Sequence, residues 1–256
     1  MVRIDLNCDM GESFGPWPMG NDLEILNYVT SANIACGFHA GDPTIMHKTV
    51  EAALAKGVAV GAHPGLPDLQ GFGRRAMALA PKDAYDIVVY QVGALAGFAK
   101  ALGGKLSHVK AHGALYNMAA KDFALSEAIA RAVRDIDPEL VLFGLAGSQT
   151  IRAAESLGLR PAAEVFADRT YQDDGSLTPR NRSDALIEDP EAAVLQAKRL
   201  VIEGQVRSIR GRDIAVRADT LCIHGEHPSA LVFAKRIRAE FEREGVAIAA
   251  LRNMRS

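Results

Sequence analysis

A chain of 256 residues with 48% apolar and 23% charged residues can bury a large core, which excludes global disorder. A formal net charge of −2 provides no general field for nucleic acid or an anionic membrane, so neither is expected as a partner. Three widely spaced cysteines, Cys8, Cys36 and Cys222, exclude a disulfide framework, and the acidic opening MVRIDLNCDMGE with no membrane-length apolar run predicts a cytoplasmic protein.

In chain order, short apolar or β-branched runs alternate with longer helical segments. Strands are predicted near Val2 to Leu6, Ala32 to Ala35, Val58 to Ala62, His108 to Ala111, Leu140 to Leu145, Ala162 to Phe166 and Thr220 to Ile223, with an eighth over Val246 to Ala249. Helices are predicted over Pro43 to Lys56, Lys82 to Leu102, Ser126 to Asp135, Ser148 to Leu157, Pro190 to Glu203 and Ser229 to Glu244. Asp42 before Pro43 is an N-cap followed by a first-turn proline, and Gly57, Gly103, Gly158, Gly204 and Gly245 follow helices as breakers.

Runs such as VAVGAH and LVLFGLAG are apolar almost throughout, the pattern of a parallel sheet covered on both faces. Seven or eight such repeats without a Pro/Ser-rich linker predict an α/β fold, one domain over residues 1–256 with mostly parallel strands closed into a barrel. An open doubly wound sheet is the competing arrangement. Three loops are long and rich in turn formers: Met10 to Asp22, Leu66 to Pro81, and Asp168 to Asp184. Loops of this length in an α/β domain are more often functional than idle.

Chemistry collects at the strand ends. The first strand runs into Asn7, Asp9 and Glu12, the second into Cys36 and His39, the third into His63, and the fourth into Lys110 and His112. The sixth runs into Glu164, Asp168 and Arg169, and the seventh into His224 and Glu226. A parallel barrel brings all these ends to one face, so residues remote in sequence meet in one cleft. A single histidine near a strand end is more often a packing residue than a catalyst. Five here, His39, His63, His112, His224 and His227, share that position, whereas His47 and His108 read as structural.

Lys110 needs an anionic neighbour if buried, either a structural partner such as Asp9 or Glu12, or a substrate carboxylate or developing oxyanion. Asp9 and Glu12, three residues apart in DMGE, can act as a pair in which one carboxyl stays protonated beside the charge of the other; Asp9 is the preferred general acid or base. Arg74 and Arg75 follow a glycine-rich stretch suited to an anion, although adjacent arginines are commonly a solvated surface. The compact metal motifs are missing: there is no H-E-x-x-H and no cysteine pair, and H-G-E-H from His224 to His227 is a weak substitute. No metal is therefore expected on this chain. Phosphate-loop, dinucleotide and serine-hydrolase motifs are also lacking.

Six segments in order, DLNCDMGE (5 to 12), SANIACGFHAGDP (31 to 43), GAHPGLPD with FGRR (61 to 75), VKAHGALYN (109 to 117), EVFADRTY (164 to 171) and LCIHGE (221 to 226), resemble the LamB/YcsF family, identified with the A subunit of prokaryotic 5-oxoprolinase. Each alone is weak, but together they span almost the whole chain. The resemblance implies a distorted TIM-like (β/α) barrel of the glycoside hydrolase/deacetylase type. It also implies participation in ATP-dependent opening of 5-oxoproline to glutamate, together with separate B and C subunits. ATP would be a co-substrate bound mainly by those partners, with Mg2+ accompanying it.

Carried over by motif, the catalytic residues would be Asp9, His63, Lys110 and His112. The substrate-binding residues would be Glu12, Asn33, His39, Arg74, Asp168, Arg169 and His224. The chain departs from the family pattern at Ala111, where proline is usual, and at Glu226, where aspartate is frequent. Two other readings stay open: a metal-dependent amidohydrolase or deacetylase acting without ATP, and a noncatalytic component that only binds the lactam.

Overall fold

The computed structural model describes residues 2–226 and 229–251, so His227, the last residue of HGEH, lies outside the described residues. The elements are β1 (Arg3–Met10), α1 (Asp22–Ile25), β2 (Ser31–Ala35), α2 (Pro43–Ala55), β3 (Ala59–His63), α3 (Pro81–Ala101), β4 (His108–Lys110), α4 (Gly113–Ala119), α5 (Phe123–Ile136), β5 (Val141–Leu145), α6 (Gln149–Ser156), β6 (Arg160–Phe166), α7 (Pro190–Val201), β7 (Gln205–Arg207), β8 (Asp213–Ala215), β9 (Thr220–Ile223), α8 (Ala230–Arg243) and β10 (Ala247–Ile248).

β1 to β6 follow one another around the sheet, β6 pairs with β9, and β9 returns to β1, all in parallel. The sheet therefore closes, which rules out the open doubly wound alternative. β10 is the expected eighth strand but stays outside the ring, pairing only with Arg3 and Ile4 at the start of β1. Among the described residues no helix is long and apolar enough to cross a membrane.

The helix ends follow the sequence signals. The Asp42 side chain accepts from the amides of Thr44 and Ile45 with Pro43 in the first turn, and Asp189 accepts from Ala192 in front of α7. Four elements were not anticipated. α1 is a single turn over Asp22–Ile25. α4 is a single short helix that starts within VKAHGALYN and ends at Ala119, too brief to show a period. β7 and β8 form an antiparallel hairpin around the turn at Arg210 and Gly211, between α7 and β9.

The larger departure concerns β1, expected to stop at Leu6 but extending to Met10. Its residues alternate: Ile4, Leu6, Cys8 and Met10 join the apolar core, while Asp5, Asn7 and Asp9 bond to side chains of neighbouring strands. That alternation is the period of a strand with two unlike faces. Here the polar face is turned into the ring and buried, so the barrel interior carries a column of hydrogen-bonded polar groups beneath the cleft. Such a network tolerates burial only when its members are satisfied by one another.

Candidate active site

Asp9 stands at the end of β1, and both of its oxygens are engaged. Oδ1 accepts from Lys110 Nζ at 2.8 Å and from Asn33 Nδ2 at 2.8 Å; Oδ2 lies 3.4 Å from His63 Nε2. Asn33 is oriented in turn by its Oδ1, which accepts from His108 Nε2 at 2.8 Å. Burial pushes the Asp9 carboxyl up, but the charges of His63 and Lys110 outweigh it and hold the group well below the usual carboxylate range. Lys110 also lies 2.9 Å from Glu164 Oε1 and 3.0 Å from Cys222 Sγ. Burial disfavours its ammonium, yet Asp9 and Glu164 keep its pKa well above the ordinary lysine value.

A second cluster lies beside the first. His63 Nδ1 donates to the carbonyl of Lys110 at 2.8 Å, and His112 Nε2 donates to the carbonyl of Phe72 at 2.8 Å. The two remaining nitrogens, His63 Nε2 and His112 Nδ1, face each other at 3.0 Å. His39 stacks flat on His112 with ring centroids 3.6 Å apart, and its Nε2 is 3.3 Å from Glu12 Oε1. Burial holds His39 and His112 well below the usual histidine range, so both favour the neutral ring. Burial, reinforced by the charges of Glu226 and Asp9, raises Glu12 well above an ordinary carboxylate, as expected for a carboxyl near an ionised neighbour.

The loop from Leu66 to Pro81 shapes this cluster. Phe72 has φ of +54°, in the left-handed region that non-glycine residues seldom adopt, and its carbonyl is thereby aimed at His112. Gly73 follows with φ of +63°; a Cβ there would lie 2.7 Å from His39 Cβ and 2.9 Å from His112 Cδ2. The glycine-rich stretch serves histidine packing more than anion approach. Of the arginine pair, Arg75 turns outward and pairs with Asp68, whereas Arg74 stands over the Phe72 ring and pairs with Glu226.

His224 stands beside Asp9, at the end of the adjacent strand β9; both Asp168 oxygens lie 2.9 Å from His224 Nδ1, and the His224 amide donates to Oδ2. Burial opposes ionisation of Asp168, but the charge of His224 and its hydrogen bond lower the carboxyl to about 2. This is the carboxylate–histidine arrangement that fixes a ring for proton transfer. A cavity of about 620 Å³ opens over the strand ends and is walled by Asp9, His63, Lys110, His112 and His224. Arg74, Arg169 and Arg180 also line it.

The structure thus brings eleven sequence-predicted residues to one region but in two layers. Asp9, His63, Arg74, Lys110, His112, Arg169 and His224 line the cavity, while Glu12, Asn33, His39 and Asp168 stand behind them. Arg169 is buried and donates to the carbonyls of Thr178 and Ala185, so it ties down the loop from Asp168 to Asp184. Lys110 meets Asp9 as anticipated, but its second carboxylate is Glu164 rather than Glu12. Arg180, in the loop's TPRNRSD segment, was not singled out; a cation in a long loop at the barrel mouth was the available signal. His47 is exposed on α2, whereas His108, read as structural, is the buried partner that orients Asn33.

The profile of the LamB/YcsF family matches residues 4–256. The A subunit of 5-oxoprolinase from Bordetella pertussis is 65% identical over 247 residues, covering 96% of this chain and 98% of that protein. Its counterpart from Bacillus subtilis, likewise named as the A subunit of 5-oxoprolinase, is 60% identical with both chains fully covered. Among solved structures, the lactam utilization protein of Thermus thermophilus superposes with a TM-score of 0.92 at 49% identity, covering 98% of this chain and 100% of that one. A family 4 carbohydrate esterase from Streptomyces lividans shares the fold alone, with a TM-score of 0.51 at 14% identity, covering 98% of this chain and 93% of that one. The ordered motifs, the closed barrel and the full-length match agree: the chain belongs to the LamB/YcsF family.

Proposed function

We propose that this chain is the A subunit of a cytoplasmic 5-oxoprolinase, hydrolysing the activated lactam of 5-oxoproline to glutamate while partner B and C subunits carry ATP-dependent activation. The observation that carries the reading is Asp9, an ionised carboxylate at a cavity wall, held by Lys110 on one oxygen and facing His63 with the other. Full-length similarity to 5-oxoprolinase A subunits supplies the substrate class.

A five-membered lactam is a stable amide, and phosphorylation of its oxygen by ATP supplies a leaving group. Asp9, with His63, takes the proton of a water that adds to C5. Lys110 stabilises the negative charge that develops on oxygen, while neutral His112, its one N–H given to the Phe72 carbonyl, packs against His63. His224, fixed by Asp168, stands next to Asp9 at the end of the adjacent strand β9 and delivers a proton to the ring nitrogen as the C5–N bond breaks, giving the amino group of glutamate. A second water then releases phosphate from the acyl phosphate. The cavity has room for the small lactam with a phosphoryl group attached, and Arg74 and Arg180 bring positive charge to its wall.

The test is glutamate release from 5-oxoproline and ATP, measured with this chain alone and then with candidate B and C subunits. Glutamate is expected only with the full set, and Asp9→Asn is expected to abolish it while leaving assembly with the partners intact. Normal turnover by Asp9→Asn would exclude Asp9 as the base. Hydrolysis by the chain alone without ATP would favour an independent amidohydrolase.

A further inference from the structure

The geometry points to a divalent transition-metal site formed by His63, His112 and Glu12, with Asp9 beside it and its open side toward the cavity. The argument is a count of hydrogens. Carbonyl oxygens only accept, so the bonds to Lys110 and Phe72 place the ring protons on His63 Nδ1 and His112 Nε2. In the neutral rings this leaves two bare lone pairs, on His63 Nε2 and His112 Nδ1, facing each other at 3.0 Å. Two bare acceptors do not hold that separation, so either a shared proton or a metal cation lies between them, and the carboxylates around the pair favour the metal.

The surroundings fit a metal. Glu12 Oε1 is 3.6 Å from His112 Nδ1, and Asp9 Oδ2 is 3.4 Å from His63 Nε2. Donors bound to one Zn2+ at ordinary lengths stand about 2.9–3.5 Å apart, between octahedral and tetrahedral angles. Donor atoms of Glu12, His39, His63 and His112 all lie within 4.8 Å of one another, and all four residues are buried.

The outer partners are those a metal site needs. Ligating histidines characteristically donate their other N–H to a backbone carbonyl, which fixes the tautomer, and both rings do so here. Phe72 accepts a left-handed backbone to supply one of those carbonyls. His39 Nε2, 3.3 Å from Glu12 Oε1, orients the carboxylate. Two imidazoles and one carboxylate with an open position suit Zn2+ and its neighbours, apart from any Mg2+ that travels with ATP. Such an ion would polarise the lactam oxygen or ready the water that Asp9 deprotonates. Sequence spacing hides the set, because its members come from the segment after β1, from β3 and from the segment after β4.

This deepens the proposed reaction, but the test reads metal on the isolated chain, so failure of either idea leaves the other open to judgement. Tag-free protein is stripped with a chelator, desalted, loaded with Zn2+ or Co2+, desalted again and analysed by elemental mass spectrometry and, for Co2+, visible absorption. About one equivalent per chain is expected, with the intense absorption of a low-coordinate Co2+ site. Glu12→Gln and His112→Gln are expected to weaken binding by more than the roughly 10- to 100-fold typical of losing an outer partner. Exposed His47→Gln should bind as wild type does, and near-UV dichroism checks that each variant folds. Absence of retained metal in the wild type overturns the proposal, as does undiminished binding by both ligand variants. Imidazole 15N NMR showing a proton still shared by His63 and His112 in the presence of excess Zn2+ would also overturn it.

Discussion

Removing the cation of Lys110 without removing its bulk gives the sharpest test of the buried network. Lys110→Met deletes an ammonium 2.8 Å from Asp9 and 2.9 Å from Glu164, leaving two buried carboxylates with no cation between them. Breaking a buried pair by deleting one member costs about 3–5 kcal/mol, because the orphaned charge stays desolvated. The loss should depend on pH. In the variant, the carboxyl freed from the ammonium has a folded pKa raised above its unfolded value, so the folded state binds the extra proton. Stability attached to that proton is present in acid and is lost as pH rises through the folded pKa, at up to about 1.4 kcal/mol per pH unit.

The wild-type Asp9 has the opposite sign, since its pKa is held low. Urea unfolding of both proteins from pH 5 to pH 8, followed by circular dichroism, should therefore show a stability gap that widens with pH. Adding Glu164→Gln to Lys110→Met should recover part of the loss, because the two sites share one interaction. A gap below about 1 kcal/mol at pH 8, or one constant across the range, would refute the reasoning, since a buried ion pair cannot be broken with so little loss.

The interior column carries its own pH signature. Asp5 accepts from Ser31, Thr30 and Thr220, but burial dominates and raises its pKa from 3.8 to about 6. Its favourable contribution is complete below pH 4 and disappears as pH rises past 6, a swing of about 3 kcal/mol that Asp5→Asn should remove from the stability profile. Parallel wild-type and variant profiles would show that Asp5 does not titrate in this window. Gly73→Ala forces a Cβ against His39 and His112 at positive φ, and should lower stability by at least about 1–2 kcal/mol. Gly93→Ala, at an exposed position of α3 with nothing near the new methyl, should raise it by about 1 kcal/mol; thermal melts distinguish the two signs. Asp168→Asn removes the carboxylate that orients His224, so turnover of the assembled enzyme should fall by more than tenfold with little change in substrate KM. Equal activity would separate the pair from proton transfer.

What the sequence made legible was positional. A strand that ends in Asp, His or Lys puts that residue at the barrel mouth whatever its register, because parallel strands share one direction. His63 at the end of β3, Lys110 at the end of β4 and Asp9 at the end of β1 could be placed in one cleft on that ground alone. Contacts within the cleft were not legible in the same way. Whether Lys110 meets Glu12 or Glu164 depends on which strands are neighbours across the ring and which residues share a level. Glu164 faces Lys110 because β6 contributes its polar position at the depth of Asn7, to which it also bonds. Arg180 and the β7–β8 hairpin lie in a long excursion between β6 and β9, where no periodicity constrains the path.

The polar interior was hidden for a different physical reason. An alternating strand ordinarily means one face on the core and one in water. In RIDLNCDM the apolar residues pack outward under the helices, and the acids turn inward to hydroxyls and an amide from β2 and β9. Asp5, Asn7 and Asp9 are successive inward positions of one strand, linked by Thr220 and Asn33. The Asp9 carboxylate, proposed as the base, is therefore the top of a hydrogen-bonded column rather than a loop residue. A side chain fixed from below in this way pays little to order itself for the reaction, which is the condition under which a buried charge stabilises a transition state better than water does.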